Sequence, residues 1–185
     1  MKYSLALDAR SFNLNDLKRL KVNLNQSNID HKWVMQDSLH IDLLSLEEVD
    51  LEAIQKVVTQ VEPFTLKLNG VWAYPEQKEA RVLWVGVQNA RELQNLRFEF
   101  LKALPGSEMD NGEEFKPILP VVRFRNYRSV SDLISPFKNS RFESLFVNKV
   151  ILVEMTSGGA YPTYKILEEF KIEKGPEGPV DYLAP

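Results

Sequence analysis

Apolar residues along this chain switch repeatedly between two spacings, and a chain that does so buries them only by mixing strands with helices. Tyr3, Leu5 and Leu7 alternate with Lys2, Ser4 and Ala6, the two-residue period of a half-buried strand. Leu14, Leu17, Leu20 and Leu24 then fall on one side of a 3.6-residue repeat, with Asn13 placed to cap the start. Leu39-His40-Ile41-Asp42-Leu43-Leu44 reads as extended. It leads into a second helix, where Leu51, Ile54, Val57, Val58 and Val61 keep helical spacing, Glu47, Glu48 and Asp50 favour the N-terminal end of the dipole, and Pro63 is the stop.

Phe64, Leu66 and Leu68 return to alternation, and Val71–Tyr74 and Arg81–Val87 predict a hairpin across Pro75–Ala80. Leu93, Leu96, Phe100 and Leu104 supply a third helical seam, and Ser107–Glu114 is a polar loop. Phe115–Phe124 reads as extended and Val130–Ile134 as a short helix ended by Pro136. Val150–Val153 and Tyr164–Ile172 read as strands, and a tail begins at Lys174. Interleaved strands, hairpins and helices indicate an α+β protein with antiparallel or mixed sheets. The rhythm divides near Arg81–Asn89 into two similar halves, and Trp33, Trp72 and Trp84 are expected in the core.

Composition narrows the function classes. The chain has 185 residues, enough for one domain with a substantial core. Its 23 Lys+Arg against 26 Asp+Glu give a formal charge of −3, so any nucleic-acid contact must be local. There is no Cys, which removes disulfides, thiolate nucleophiles and Cys-ligated zinc. No stretch approaches the ~20 apolar residues of a membrane span, and the apolar run before Asp8 is shorter than a signal peptide is expected to carry. A cytoplasmic protein without a membrane partner or a cofactor is the expectation.

The two histidines are His31 and His40. Period-two geometry puts His40, Asp42 and Leu44 on one face of their strand, with Leu39, Ile41 and Leu43 turned to the core. His40 and Asp42 therefore face either solvent or a cleft. They supply two metal ligands, short of a site, and His31 bears no spacing relation that adds a third. Arg123, Arg125 and Arg128 form a cluster able to clamp an anion. Strand alternation turns Arg123 and Arg125 away from Ile118 and Pro120 unless a bulge intervenes. Tyr164 and Tyr161 are candidates to line a cleft, against a plain role in sheet packing. No phosphate-binding glycine loop surrounds Gly158-Gly159, and no serine nucleophile elbow occurs.

The ordered series Tyr3–Asp8, Trp33-Val34, Leu39–Leu43, Pro63–Leu68, Arg81–Val87, Phe115-Lys116-Pro117, Gly159-Ala160-Tyr161 and Tyr164–Leu167 with Phe170 resembles the 2H phosphoesterases. Within them the likeness is to the RNA 2′,3′-cyclic phosphodiesterase branch, once called 2′-5′ RNA ligases. The resemblance spans roughly residues 1 to 172. It implies two small antiparallel sheets facing a central cleft with helices outside, residues 1–173 forming two pseudo-repeated lobes and 174–185 a tail.

That family carries two His-x-Thr/Ser motifs, one per lobe, whose histidines act as base and acid while the hydroxyls bind phosphate. Here the first reads His40-Ile41-Asp42. Ile118 stands where the resemblance puts the second His, and Pro120 where it puts the second hydroxyl. Ile118 offers no proton, and Pro120 donates from neither side chain nor backbone. An ionised Asp42 repels a phosphate diester by about 1 kcal/mol at 4 Å in water, or about 4 at an effective dielectric of 20. The family commonly has an Arg at the place of Arg123, which implies phosphate contact. Two readings follow. One is a degenerate member, a pseudoenzyme whose cleft binds a nucleotide, RNA end or protein partner with little hydrolysis. The other is an active cyclic phosphodiesterase with His40 as its sole acid/base and Arg123 on phosphate. A third, recruitment of a protein partner by the tail, has no specific residue behind it.

Overall fold

The structure is a computed structural model, and it describes residues 2–107, 114–157, 159 and 161–174. Most of the expected Ser107–Glu114 loop and the tail beyond Lys174 lie outside the described residues. In chain order the elements are β1 (Lys2–Asp8), α1 (Lys18–Gln26), β2 (His31–Trp33), β3 (His40–Leu46), α2 (Leu51–Val58), β4 (Phe64–Pro75), β5 (Ala80–Gln88), α3 (Arg91–Ala103), β6 (Ile118–Arg128), α4 (Ser131–Ile134), β7 (Leu145–Val147), β8 (Lys149–Thr156) and β9 (Thr163–Lys171). Single 3-10 turns occupy Leu14–Leu17, Gln36–Ser38 and Ser135–Phe137.

The strands form two antiparallel sheets, one ordered β3-β1-β8-β9 and the other β2-β6-β5-β4-β7. Each buries one face against the helices. Leu20 and Leu24 of α1, Ile54, Val57 and Val58 of α2, and Leu93, Leu96 and Phe100 of α3 join Leu5, Leu7, Ile41, Leu83, Val85 and Phe124 in one core. The caps follow the chemistry of the sequence. Asn13 accepts from the Asn15 amide at 3.1 Å and Asp50 from the Ala53 amide at 3.0 Å.

Several expectations shift. The capped turn at Leu14–Leu17 is 3-10 before α1 begins, and α2 stops at Val58, short of Val61. Strand β6 starts at Ile118, not Phe115, and runs on to Arg128. The short strands β2 and β7 carry three residues each, too few for a period to register. The midpoint at 81–89 is no seam between lobes, because β5 lies in the middle of the five-stranded sheet and β1 pairs with β8 from the other end of the chain. Trp72 and Trp84 are not core residues. They stack at 6.3 Å, half-buried, on the face of β5 opposite the fully buried Leu83 and Val85, while Trp33, also half-buried, leans on the core edge.

At one end of the four-stranded sheet an ionic chain fastens three strands. Arg10 grips Asp8 through Nε and Nη2, each at 2.9 Å, and reaches Glu169 of β9, which also takes Lys149 of β8 at 3.0 Å. Burial works to raise the Asp8 carboxyl, but the hydrogen bonds and charge of Arg10, with Lys149 behind it, hold it below its usual range. Hydrogen bonds from Lys149 and Arg10 lower Glu169 likewise.

Two measurements test these features. A depressed native carboxyl lends stability that is present in full above the unfolded value, 3.8 for Asp8, and is lost as pH falls through the lower native one. The stability gap between wild type and Asp8→Asn in urea unfolding should therefore shrink from pH 5 to pH 2; a constant gap rejects the ionic assignment. Gly70 holds φ at +68°, and a Cβ there meets the Lys138 carbonyl oxygen at 2.8 Å. Gly70→Ala should lose about 1–3 kcal/mol, and about 2–4 °C of melting midpoint for each kcal/mol. An unchanged midpoint means that the backbone relaxes there.

Candidate functional site

Directly paired residues in antiparallel strands share a face, so the register of β1 and β3 decides what His40 looks at. Asp8 pairs with His40 and Ala6 with Asp42, while Leu7 pairs with Ile41. His40 and Asp42 thus share the sheet face that carries Ser4, Ala6 and Asp8, opposite the core face of Leu5 and Leu7. Leu44 does not join them. The register slips between Leu5 and Ala6, so that Leu44 pairs with Leu5 and is buried in the core. A β-bulge at Leu43 turns two successive leucines inward where alternation predicts one.

His40 is buried, with a side chain only 7% exposed. Its Nδ1 lies 2.7 Å from the Ser38 carbonyl oxygen, which only accepts, so Nδ1 carries the proton and Nε2 of the neutral ring keeps its lone pair. Nε2 is 3.6 Å from Asp42 Oδ1. Asp42 is 61% exposed, and Ser4 Oγ donates to it at 2.7 Å. Water therefore screens its charge, and the weak end of the repulsion toward phosphate, about 1 kcal/mol, applies.

Tyr164 of β9 packs edge-on against the His40 ring, centroids 4.8 Å apart. Its hydroxyl accepts from Arg123 Nη2 at 2.7 Å. Burial raises the Tyr164 phenol, the Arg123 charge works against the rise and Asp42 adds to it, so the group stays protonated at neutral pH. This bond spans the two sheets, because Arg123 belongs to β6. Between β5 and β6 the register slips at Leu83/Trp84: Val82 pairs with Arg123, Leu83 with Val122 and Trp84 with Pro120, leaving Val121 as the extra residue. Ile118, Pro120 and Arg123 therefore share one face with Val82, Trp84 and Gly86. Simple alternation turns Arg123 away from the cleft; the bulge turns it in.

The structure thus gathers His40, Asp42, Tyr164 and Arg123, and brings Ile118 and Pro120 to the same face of β6 as Arg123. Arg125 and Arg128 are exposed and Tyr127 lies under Arg81, so the rest of the arginine cluster is solvated strand end. His31 pairs with Phe124 on the reverse face of β2 from Lys32, its Nδ1 bonded to the Ile29 carbonyl oxygen at 2.7 Å. Ser4 and Ser38 are participants that sequence reasoning missed. The period of β1 sets Ser4 on the non-core face and was enough to find it, whereas a backbone carbonyl at Ser38 leaves no signal in sequence. Among the described residues, no three imidazoles or carboxylates converge to hold a metal ion, and no helix is long and apolar enough to cross a membrane.

Chemically, the cleft offers one imidazole with a free lone pair, one neutral phenol and one guanidinium. Neither Ile118 nor Pro120 adds a proton donor or acceptor. No profile of a known protein family matches the chain. Individual relatives do. It is 29% identical over 151 residues to an RNA 2′,3′-cyclic phosphodiesterase of Aquifex aeolicus, covering 75% of this chain and 80% of that one. It is 28% identical over 182 residues to that of Methanothermobacter thermautotrophicus, covering 91% and 97%. Among solved structures, TT0787 of Thermus thermophilus superposes with a TM-score of 0.59 at 20% identity, over 94% of this chain and 99% of that one. Escherichia coli LigT in complex with 3′-AMP gives 0.58 at 18% identity, over 92% and 97%. The chain is thus similar in sequence to RNA 2′,3′-cyclic phosphodiesterases and shares its fold with LigT.

Proposed function

We propose that this protein binds a phosphate-bearing nucleotide or RNA end in the cleft at His40 and hydrolyses 2′,3′-cyclic phosphates slowly or not at all. The observation that carries this reading is the lone imidazole. In-line hydrolysis of a cyclic phosphate needs a base for the attacking water and an acid for the leaving ribose oxygen. His40 Nε2 suits one of these roles. The facing strand supplies a hydrocarbon and a proline, and the Tyr164 phenol, raised by burial, is a poor acid. Loss of one general acid/base removes ~10²–10⁴ in rate. Binding survives such a loss, since Arg123 supplies positive charge and donors on the cleft face. The complex of LigT, a neighbour in fold, with 3′-AMP supports a nucleotide as the ligand.

One observation favours the active reading instead. The β6 bulge that turns Arg123 inward is what a phosphate-binding residue needs, and His40 with Arg123 then forms a reduced catalytic pair, with His40 acting first as base and then as acid. The two readings part in one assay.

On a 2′,3′-cyclic mononucleotide and an RNA with a cyclic phosphate end, wild type and His40→Ala should both run near background. Wild-type turnover that His40→Ala abolishes rejects the binding reading and establishes the active one. Restoring the motifs is the second test. Ile118 shares a face with Arg123, so the combination Asp42→Thr, Ile118→His and Pro120→Thr should raise turnover by ~10²-fold or more. A folded triple variant without gain shows that the two strands no longer stand at catalytic distance.

A further inference from the structure

The strands of the five-stranded sheet carry no acidic residue. None of β2, β4, β5, β6 and β7 contains Asp or Glu, although 26 of the chain's 185 residues are acidic, and together they hold six Lys and Arg. The four-stranded sheet, by contrast, holds five carboxylates, on Asp8, Asp42, Glu154, Glu168 and Glu169. All three tryptophans also lie in the acid-free sheet. A chain of net charge −3 thus has one sheet cleared of negative charge, and local distribution, more than the total, decides which polyanions a surface admits.

Register shows where the aromatics stand. Trp72 pairs with Trp84 and Trp84 with Pro120; in the next row Tyr74 pairs with Val82 and Val82 with Arg123. Paired residues share a face. Trp84 therefore stands one strand, and Trp72 and Tyr74 two strands, beyond β6, the strand that meets the four-stranded sheet. Tyr74 is 62% exposed. The Trp72 indole rests over Gly70 and Gly86, where an added Cβ would lie 2.8 Å and 3.0 Å from its Nε1. Two positions without side chains let that ring lie low on the sheet, half-buried, with Trp84 tilted 30° to it at 6.3 Å. Beyond Trp72 the face runs into a recess of about 570 Å³ at the β4 edge. Its polar lining is Lys67, Asn69, Gln88, Asn139, Arg141 and Ser144, two cations and four neutral groups; Glu143 does not line it. The hairpin carboxylates Glu76 and Glu79 lie past Tyr74, at the strand ends.

Flat rings beside unopposed cations suit a single-stranded nucleic acid, in which every base has a face to stack and every linkage a charge to neutralise. A duplex keeps its base faces inside and finds only the cations. We propose that the face of β4 and β5 carrying Trp84, Trp72 and Tyr74, with the Lys67–Arg141 recess at its far edge, binds the body of a single-stranded RNA without regard to sequence. This deepens the reading above, on which an RNA end sits at His40, but the surface itself needs no phosphate end. Strands lie about 4.8 Å apart, so Trp72 is ~10 Å from β6. A mononucleotide at His40 leaves it uncovered and a longer strand reaches it, so length sets affinity.

The test is calorimetry of the full chain with an RNA of about six nucleotides bearing hydroxyl ends, within the roughly 4–16 that one such surface takes. Adenosine 3′-monophosphate, a blunt RNA duplex and inorganic polyphosphate are the other probes. The single strand should bind at least tenfold more tightly than each of them, quench tryptophan fluorescence and weaken as salt rises. Trp72→Leu should weaken it about fivefold to a hundredfold. Lys67→Glu combined with Arg141→Glu, both exposed and so without bearing on folding, should weaken it about tenfold and flatten its salt dependence. Binding of the hydroxyl-ended strand without uptake of adenosine 3′-monophosphate upholds the surface and rejects the groove reading. Uptake of the mononucleotide with a strand that binds no more tightly overturns the surface and leaves the groove reading standing, as does a strand whose affinity survives both variants. Duplex or polyphosphate binding as tightly as the single strand removes the stacking and overturns the surface too.

Discussion

A strand with one face in the core cannot slip by a single residue without exchanging its faces, and two local slips of this kind create the cleft described here. The bulge at Leu43 sends Leu44 inward, leaving His40 and Asp42 on the open side of the four-stranded sheet. The bulge at Val121 does the same for Arg123 on the five-stranded sheet. Without the second, the guanidinium belongs to the helix-covered side and nothing joins the sheets at Tyr164. The core enforces both choices, since Leu44, Val121 and Val122 are all buried.

On this frame the chemistry is spare. The Ser38 carbonyl fixes the His40 tautomer, Ser4 holds the neighbouring carboxylate, and the Arg123–Tyr164 bond closes one side. A fixed tautomer with its lone pair toward the cleft is an arrangement that proton transfer uses, and it persists here although the opposite strand brings Ile118 and Pro120. Recognition and hydrolysis make separable demands: donors and positive charge suffice for the first, while the second needs two proton-transfer groups in register. In this cleft Arg123 bears on the first demand and His40 on the second.

Much of the fold was legible in the sequence because alternation and helical spacing are strong over seven or more residues, as in β1, α3 and β5. Three-residue strands such as β2 and β7 carry no period, and their place is set by partners far along the chain. For the site, His40 and Asp42 were readable as sharing the strand face turned from the core, and Tyr164 only as a cleft candidate beside a plain role in sheet packing. Arg123 was readable only as a conditional, because a bulge is decided by how the partner strand packs and leaves no local signature. Trp72 and Trp84 misled for a related reason: their size points to the core, while their pairing with one another and with Pro120 places them on the cleft face.

The strand order of the smaller sheet also constrains how the chain comes together on the ribosome. Strand β1 is central, held by β3 on one edge and by β8 on the other, and β8 is made some hundred residues after β3. At about 5–20 residues per second, the antiparallel pair of β1 and β3 waits ~5–20 s with an unpaired edge. During that time Ala6 and its neighbours present open backbone to other nascent chains. Pairing across so long a separation also places this sheet among slow, high-contact-order topologies, so its closure, and with it the arrival of Tyr164 beside His40, is a late event in synthesis.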